Sequence, residues 1–151
     1  MERLRVLFLC TGNSARSQMA EGLLRKLSRG RADVFSAGVR PESAVHPIAI
    51  EILQGRFDVD TADLLPKHLR QFLGETFDYV ITVCDRTAET CPTFPGDPER
   101  IHWGFDDPAA VEGDEPRHRA FENVANGLAA RLRIWMSLPA VRRRLDEAGG
   151  S

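Results

Sequence analysis

The sequence predicts an α/β fold built on a parallel sheet. Two observations carry that prediction. Short apolar runs of strand type alternate with helical segments along the whole chain. No internal repeat, linker or low-complexity stretch divides the 151 residues. A chain of that length is most simply one domain, with a core that needs no staples. The expected unit is a single catalytic domain over 1–148, followed by a frayed tail at 149–151.

The elements follow in order. A strand covers Arg3 to Leu9, and a helix runs from Ser14 to Ser28 with Met19, Ala20, Leu23, Leu24 and Leu27 at helical spacing. Gly30 closes it, and Val34-Phe35-Ser36-Ala37-Gly38 reads as a second strand. Pro47 suits the first turn of a helix through Leu53. A short helix is expected from Pro66 to Leu73. The clearest strand is Phe77-Asp78-Tyr79-Val80-Ile81-Thr82-Val83, which ends at Cys84. A helix with Asp85 as N-cap follows, stopped by Pro92 and Pro95. Ile101-His102-Trp103 makes a fourth strand. The last long helix spans Arg117 to Ser137 and buries Phe121, Val124, Leu128, Leu132 and Trp135, with a short helix from Leu138 onward.

Composition narrows the function classes. Hydrophobic residues make up 42% and charged residues 28%, as in ordinary soluble domains, and the net charge of −2 points to neither nucleic acid nor membrane. The N-terminus enters a strand at once, without a signal-peptide pattern, and no apolar run is long enough to span a bilayer. The expected location is cytoplasmic. Three cysteines in a reducing compartment suggest reactive chemistry rather than a disulfide framework. His46, His68, His102 and His118 lie in unremarkable surroundings and are assigned no chemistry.

The stretch Cys10-Thr11-Gly12-Asn13-Ser14-Ala15-Arg16-Ser17 is the candidate centre. A loop between a strand and a helix can cradle a tetrahedral oxyanion, because its amides and the helix dipole favour negative charge. Gly12 permits a positive φ and Asn13 tolerates one. Arg16, one turn into the expected helix, can offer a planar fork to two anion oxygens. The same field favours the thiolate of Cys10, the nucleophilic form. The bare Cys-x5-Arg spacing is common by chance, so the flanking strand, turn and helix carry the assignment.

In open α/β sheets, ligands bind beyond the carboxyl ends of the strands. Cys84 and the Asp106-Asp107 turn each follow a strand at the Cys10 end. Cys84 and Cys91 suit a dithiol relay beside the loop better than a zinc site with His102 and Cys10, whose usual ligand spacings are shorter. Asp107 could act as general acid on a leaving oxygen, with Asp106 as the competing carboxylate.

Taken together these residues resemble the thioredoxin-coupled arsenate reductases built on the low-molecular-weight tyrosine phosphatase fold. The resemblance rests on Cys10 through Glu21, Phe35-Ser36-Ala37-Gly38, Cys84-Asp85 through Cys91-Pro92, and His102-Trp103-Gly104-Phe105-Asp106-Asp107-Pro108-Ala109. It implies a four-stranded parallel sheet in order 2-1-3-4 with helices on both faces. It implies arsenate as substrate, with phosphate or sulfate as mimics, and thioredoxin as reductant. Cys10 would be the nucleophile, with Arg16 and the amides of residues 11–16 binding the anion. Ser17 would hydrogen-bond the thiolate, Asp107 would protonate the departing oxygen, and Cys84 and Cys91 would relay the disulfide. Weak phosphatase activity would accompany reduction. No cofactor is required by this chemistry. Some members hold a potassium ion at positions matching Asn13, Glu21, Ser36, Thr61 and Asp63, which implies such a site here, although the segment 56–60 departs from the usual pattern.

Two other readings compete. A low-molecular-weight protein tyrosine phosphatase needs the same loop and acid, yet that family usually follows its Asp-Pro with tyrosines, whereas Ala109 and Ala110 follow Pro108. A non-catalytic sensor of oxidation or oxyanions would not need the full set of nucleophile, acid and relay thiols.

Overall fold

The computed structural model describes residues 3–84 and 94–149. Its strands β1 (Leu4–Cys10), β2 (Ala32–Gly38), β3 (Tyr79–Thr82) and β4 (Glu99–His102) form one parallel sheet in the order β2-β1-β3-β4, the order expected. Four α-helices are described: α1 (Arg16–Leu27), α2 (Pro47–Phe57), α3 (Asp114–Met136) and α4 (Pro139–Gly149). The helix expected after Asp85, and Cys91 with it, lie outside the described residues. No described helix is long and apolar enough to cross a membrane.

The central strand explains its own sequence. Alternate residues of a strand face opposite sides. Leu4, Val6 and Phe8 join the larger core with residues of all four α-helices, while Leu7 and Leu9 join a second cluster with Leu69, Phe72, Phe77 and Phe94. With both faces covered, the run is continuously apolar rather than alternating. In the second cluster Phe77 meets Phe94 edge-on, with centroids 5.7 Å apart.

Three element boundaries differ from expectation for local reasons. α1 begins at Arg16 and not Ser14, because Asn13 takes φ 48° and Ala15 adopts φ −130°, ψ −82°. Neither conformation is helical. The segment from Pro66 gives only a 3-10 turn at Leu69–Phe72, since Lys67 and His68 run extended beside Gly38 at the end of β2. α3 starts three residues early, at Asp114. Gly113 takes φ 90° as its N-cap, and Pro116 fits the first turn, where its missing N–H costs nothing. The strands, too, end within a few residues of their expected limits, and α4 continues to Gly149.

The register sets up the site. Cys10 is paired with Gly38, and Leu9 with Thr82 across β3. Cys84 therefore lies just beyond the end of the strand beside β1. Residues far apart in sequence meet at one edge.

Candidate active site

The loop from Cys10 to Arg16 is held with its carbonyls turned outward. Thr11 O accepts from Arg40 N–H (2.9 Å), Gly12 O from Glu42 N–H (2.8 Å) and Ser14 O from His46 N–H (2.8 Å). Asn13 O accepts from the Gln18 amide nitrogen at 3.0 Å. In a trans peptide the C=O of one residue and the N–H of the next point in opposite directions. Tethering four consecutive carbonyls outward thus turns the amides of residues 12–15 inward. The α1 N-terminus adds to this field: Ala15 supplies no side-chain cap and the first turn carries no acid. Its orphan N–H groups are left for an anion.

The glycines act differently from expectation. Asn13, not Gly12, takes the left-handed conformation. A Cβ at Gly12 would stand 3.2 Å from Glu42 Cγ, a tight approach that the Glu42 side chain would have to yield to. Gly38 is needed for space: a Cβ there would stand 2.6 Å from Thr11 O.

A chain of side chains fixes the proton order at Cys10. Asn13 Oδ1 accepts from Lys67 N–H (2.8 Å), which can only donate, so the Asn13 amide orientation is set. Its Nδ2 then donates to Ser17 Oγ (2.7 Å) and Ser36 Oγ (2.9 Å). Ser36 Oγ donates onward to Glu21 Oε1 at 2.5 Å. Ser17 Oγ, already an acceptor from Asn13, has its own proton to give to Cys10 Sγ at 3.0 Å. Cys10, Asn13, Ser17 and Ser36 are all buried, so each group depends on these partners. A hydrogen bond donated to sulfur is stronger when the sulfur is charged.

Around this loop lies a cleft of about 330 Å³ lined by Cys10, Ser14, Arg16, Arg40, Glu42 and Asp107 among others. Arg16 is 7% exposed, and its Nη1 donates to Phe105 O at 2.8 Å, which ties α1 to the loop after β4. Asp107 caps the 3-10 turn Pro108–Ala110, accepting Ala109 N–H on Oδ1 at 3.0 Å. That bond fixes the carboxyl at the mouth. Asp106 is not part of the lining. No aromatic ring belongs to it among the described residues, and Tyr79 packs instead edge-on against Trp135. On the other side, Cys84 is buried at the end of β3, with Sγ 3.9 Å from Thr11 Oγ1. The structure thus gathers Cys10, Arg16, Ser17, Cys84 and Asp107 at one sheet edge.

Sequence reasoning from the residues alone missed Arg40, Glu42, Gln18 and Lys67. The first two follow β2 directly, where backbone pairing to the loop was not visible. Lys67 left one trace, as one of only two lysines among 20 basic residues. His46 and His68 have structural roles: their Nδ1 atoms accept Ile48 N–H (3.2 Å) and Arg70 N–H (3.0 Å) as caps. His102 Nδ1 lies 2.5 Å from Thr82 Oγ1.

The five positions implied for potassium do not form one open cage. Glu21, 1% exposed, already has Arg25 on Oε2 at 2.5 Å and Lys67 Nζ 3.6 Å from Oε1. Asn13 Oδ1 accepts from Lys67 N–H and from Gln18 Nε2 (3.1 Å). Thr61 Oγ1 takes the Gln54 amide at 2.8 Å, and Asp63 is exposed in a groove with Arg25 and Lys26. The oxygens of Asn13, Glu21, Ser36 and Thr61 are engaged by the protein's own donors, so these residues do not fit a potassium ion in this arrangement. Burial draws the Lys67 ammonium below the usual lysine range; Glu21 opposes this and Arg25 adds to it.

The model of the low molecular weight phosphotyrosine protein phosphatases matches residues 5–147. The chain belongs to that family. Within the low molecular weight phosphatase family it falls with proteins named arsenate reductase. One from Halalkalibacterium halodurans is 39% identical over 136 residues, covering 89% of this chain and 96% of that protein. One from Bacillus subtilis is 36% identical over 141 residues, covering 88% and 95%. Among solved structures, an arsenate reductase in the phosphate binding state superposes with a TM-score of 0.70 at 26% identity, covering 89% of this chain and 97% of its own. The Corynebacterium glutamicum thioredoxin-dependent arsenate reductase gives a TM-score of 0.67 at 30% identity; 89% of this chain matches, but only 61% of that longer protein is spanned.

Proposed function

We propose that this protein reduces arsenate to arsenite, with Cys10 as nucleophile and a Cys10/Cys84/Cys91 relay recycled by thioredoxin in the cytoplasm. The observation that carries the reading is Cys84, whose sulfur stands 3.9 Å from the hydroxyl of the residue following Cys10. A phosphatase needs water at that stage and has no use for a second thiol. The kinship with arsenate reductases supports the same choice.

The steps balance as follows. The Cys10 thiolate attacks arsenic while the inward amides and Arg16 hold the oxygens, and Asp107 protonates one oxygen so that water leaves. Cys84 thiolate then attacks Cys10 Sγ. The S–As bond breaks with its electron pair left on arsenic, which passes from As(V) to As(III), and a Cys10–Cys84 disulfide forms. Cys91 attacks Cys84 Sγ, which releases the Cys10 thiolate and leaves Cys84–Cys91. A thioredoxin dithiol reduces that bond, supplying the two electrons consumed. No step needs a metal ion.

The test is arsenite formation with thioredoxin and its reductase, set beside hydrolysis of an activated aryl phosphate. Cys10→Ser should abolish both. Cys84→Ser and Cys91→Ser should stop multiple-turnover arsenite release and leave the weak hydrolysis intact. Full thioredoxin-driven turnover by Cys91→Ser would overturn the relay. Loss of both activities only in Cys10→Ser, with normal turnover in Cys84→Ser, would overturn the role of Cys84.

A further inference from the structure

We infer that the Lys67 ammonium is the built-in monovalent cation of the anion loop, so this protein needs no potassium to hold Cys10 in its working arrangement. The inference rests on the loop's own geometry and is independent of which oxyanion is reduced.

Lys67 touches the anion loop, the end of β2 and α1. Its N–H orients Asn13 through Oδ1 at 2.8 Å, and its carbonyl accepts Gly38 N–H at 2.9 Å. Its Nζ donates to Leu65 O at 2.7 Å and stands 3.6 Å from Glu21 Oε1. Glu21 in turn accepts from Ser36, which accepts from Asn13, whose amide also holds Ser17 against Cys10. One residue thereby sets the loop from two sides. Its backbone fixes the amide orientation of Asn13, and its charge balances the carboxylate at the far end of the same chain. A buried carboxylate without enough compensating charge protonates or recruits a cation. Arg25 meets only Oε2, and the oxygen shared with Ser36 is served by Lys67.

The residue type fits the role. Eighteen of the 20 basic residues are arginine, yet this position is lysine. A compact ammonium with three donors can sit among oxygens from several directions, as a bare monovalent cation does, whereas a planar guanidinium cannot. Only 19% of the Lys67 side chain is exposed. The ammonium is a positioning group, since it touches neither Cys10 nor the cleft lining.

The experiment measures the thermal midpoint in potassium chloride and in tetramethylammonium chloride at equal ionic strength. A second readout is the rate of Cys10 alkylation in a Cys84→Ser/Cys91→Ser background. The natural protein should show the same midpoint and rate in both salts. Lys67→Met should lose about 5 °C or more in tetramethylammonium. Its Cys10 alkylation should slow about tenfold, because Glu21 without the ammonium at Oε1 no longer holds the Ser36 end of the chain that runs through Asn13 and Ser17 to Cys10. Potassium should restore both saturably, a response that loss of packing alone would not give. A saturable, potassium-specific rise in the natural protein would overturn the inference, because the site would then already take the ion. So would a Lys67→Met variant that potassium fails to rescue, or one with unchanged midpoint and rate. If Lys67→Met does not fold, Lys67→Gln takes its place with the same outcomes, and the salt comparison on the natural protein still decides.

Discussion

Replacing Gly38 by alanine tests how tightly the anion loop is seated on β2. The added Cβ would lie 2.6 Å from Thr11 O and 3.0 Å from both Asn13 Cβ and N. Carbon and carbonyl oxygen in contact normally stand at least about 3.3 Å apart, so the Thr11 carbonyl must retreat by roughly 0.7 Å. It cannot do so freely. The same oxygen accepts Arg40 N–H, and Gly38 itself is bonded to Lys67 O and paired with Cys10. Overpacking against backbone costs about 2–3 kcal/mol, which at this chain length is a fall of roughly 5–10 °C in the thermal midpoint. The displaced loop should also lose its inward amides, so stabilisation by added phosphate should largely disappear. Gly55→Ala is the control. No heavy atom lies within 4 Å of a Cβ at that position inside α2. It should gain about 0.5–1 kcal/mol from helix propensity alone. A Gly38→Ala protein within about 1 °C of the natural one and still stabilised by phosphate would refute the reasoning, because the measured clash would then have no consequence.

Further outcomes follow from the same geometry. Ser17→Ala removes the hydroxyl beside the Cys10 sulfur, which in the proposed reaction attacks as the thiolate; a hydrogen bond to a charged group is worth about 1.5–3 kcal/mol, so single-turnover arsenite formation should fall by about tenfold or more. Asp107→Asn should lower kcat for aryl phosphate by roughly 10²–10⁴-fold, while inhibition by phosphate changes little, since the carboxyl acts on the leaving oxygen. His46 caps α2 with an unprotonated Nδ1, and burial, then Arg117, hold its pKa below 6.5, against an opposing pull from Asp107. A depressed histidine contributes stability that is full above 6.5 and is lost as pH falls through the lowered value. His46→Asn keeps a capping oxygen without a titrating group, so urea unfolding should show a flatter acid limb than in the natural protein.

The legible parts of the site were those whose chemistry is local. A strand, a turn and a helix in succession place Cys10 and Arg16 without help from the rest of the chain, and strand ends place Cys84 and Asp107 on the same edge. Residue spacing could not show where the helix starts. That is decided by Asn13 taking the left-handed conformation that the motif equally allows for Gly12, and Asn13 is held there by Gln18 and Lys67 from elsewhere. It also could not show that Arg40, Glu42 and His46 tether the loop, because these bonds use backbone N–H groups, which every sequence has. Resemblance supplied Ser36 and Glu21 as positions beside the loop. The lysine that meets them with a charge comes from an extended segment whose sequence predicts a helix over 66–73, a conformation that hides the contact.

The sheet order divides the work between two neighbours of β1. On the β2 side everything serves the shape of the loop: Gly38 gives room, Ser36 carries the hydrogen-bond order, and residues 40–46 hold the carbonyls outward. On the β3 side stands a thiol. In the proposed reaction, then, oxyanion binding and electron withdrawal reach Cys10 from opposite flanks and use no common side chain. Changes at Cys84 can abolish reduction without disturbing the amides that bind the anion, whereas changes at Gly38 should weaken anion binding and, with it, hydrolysis and reduction alike. A fold of this kind can pass from hydrolysing an oxyanion ester to reducing an oxyanion by adding thiols on one flank, while the other flank stays as it is. The shared loop has only to keep its N–H groups inward and a hydroxyl on its cysteine, and both demands are met by residues that neither chemistry consumes.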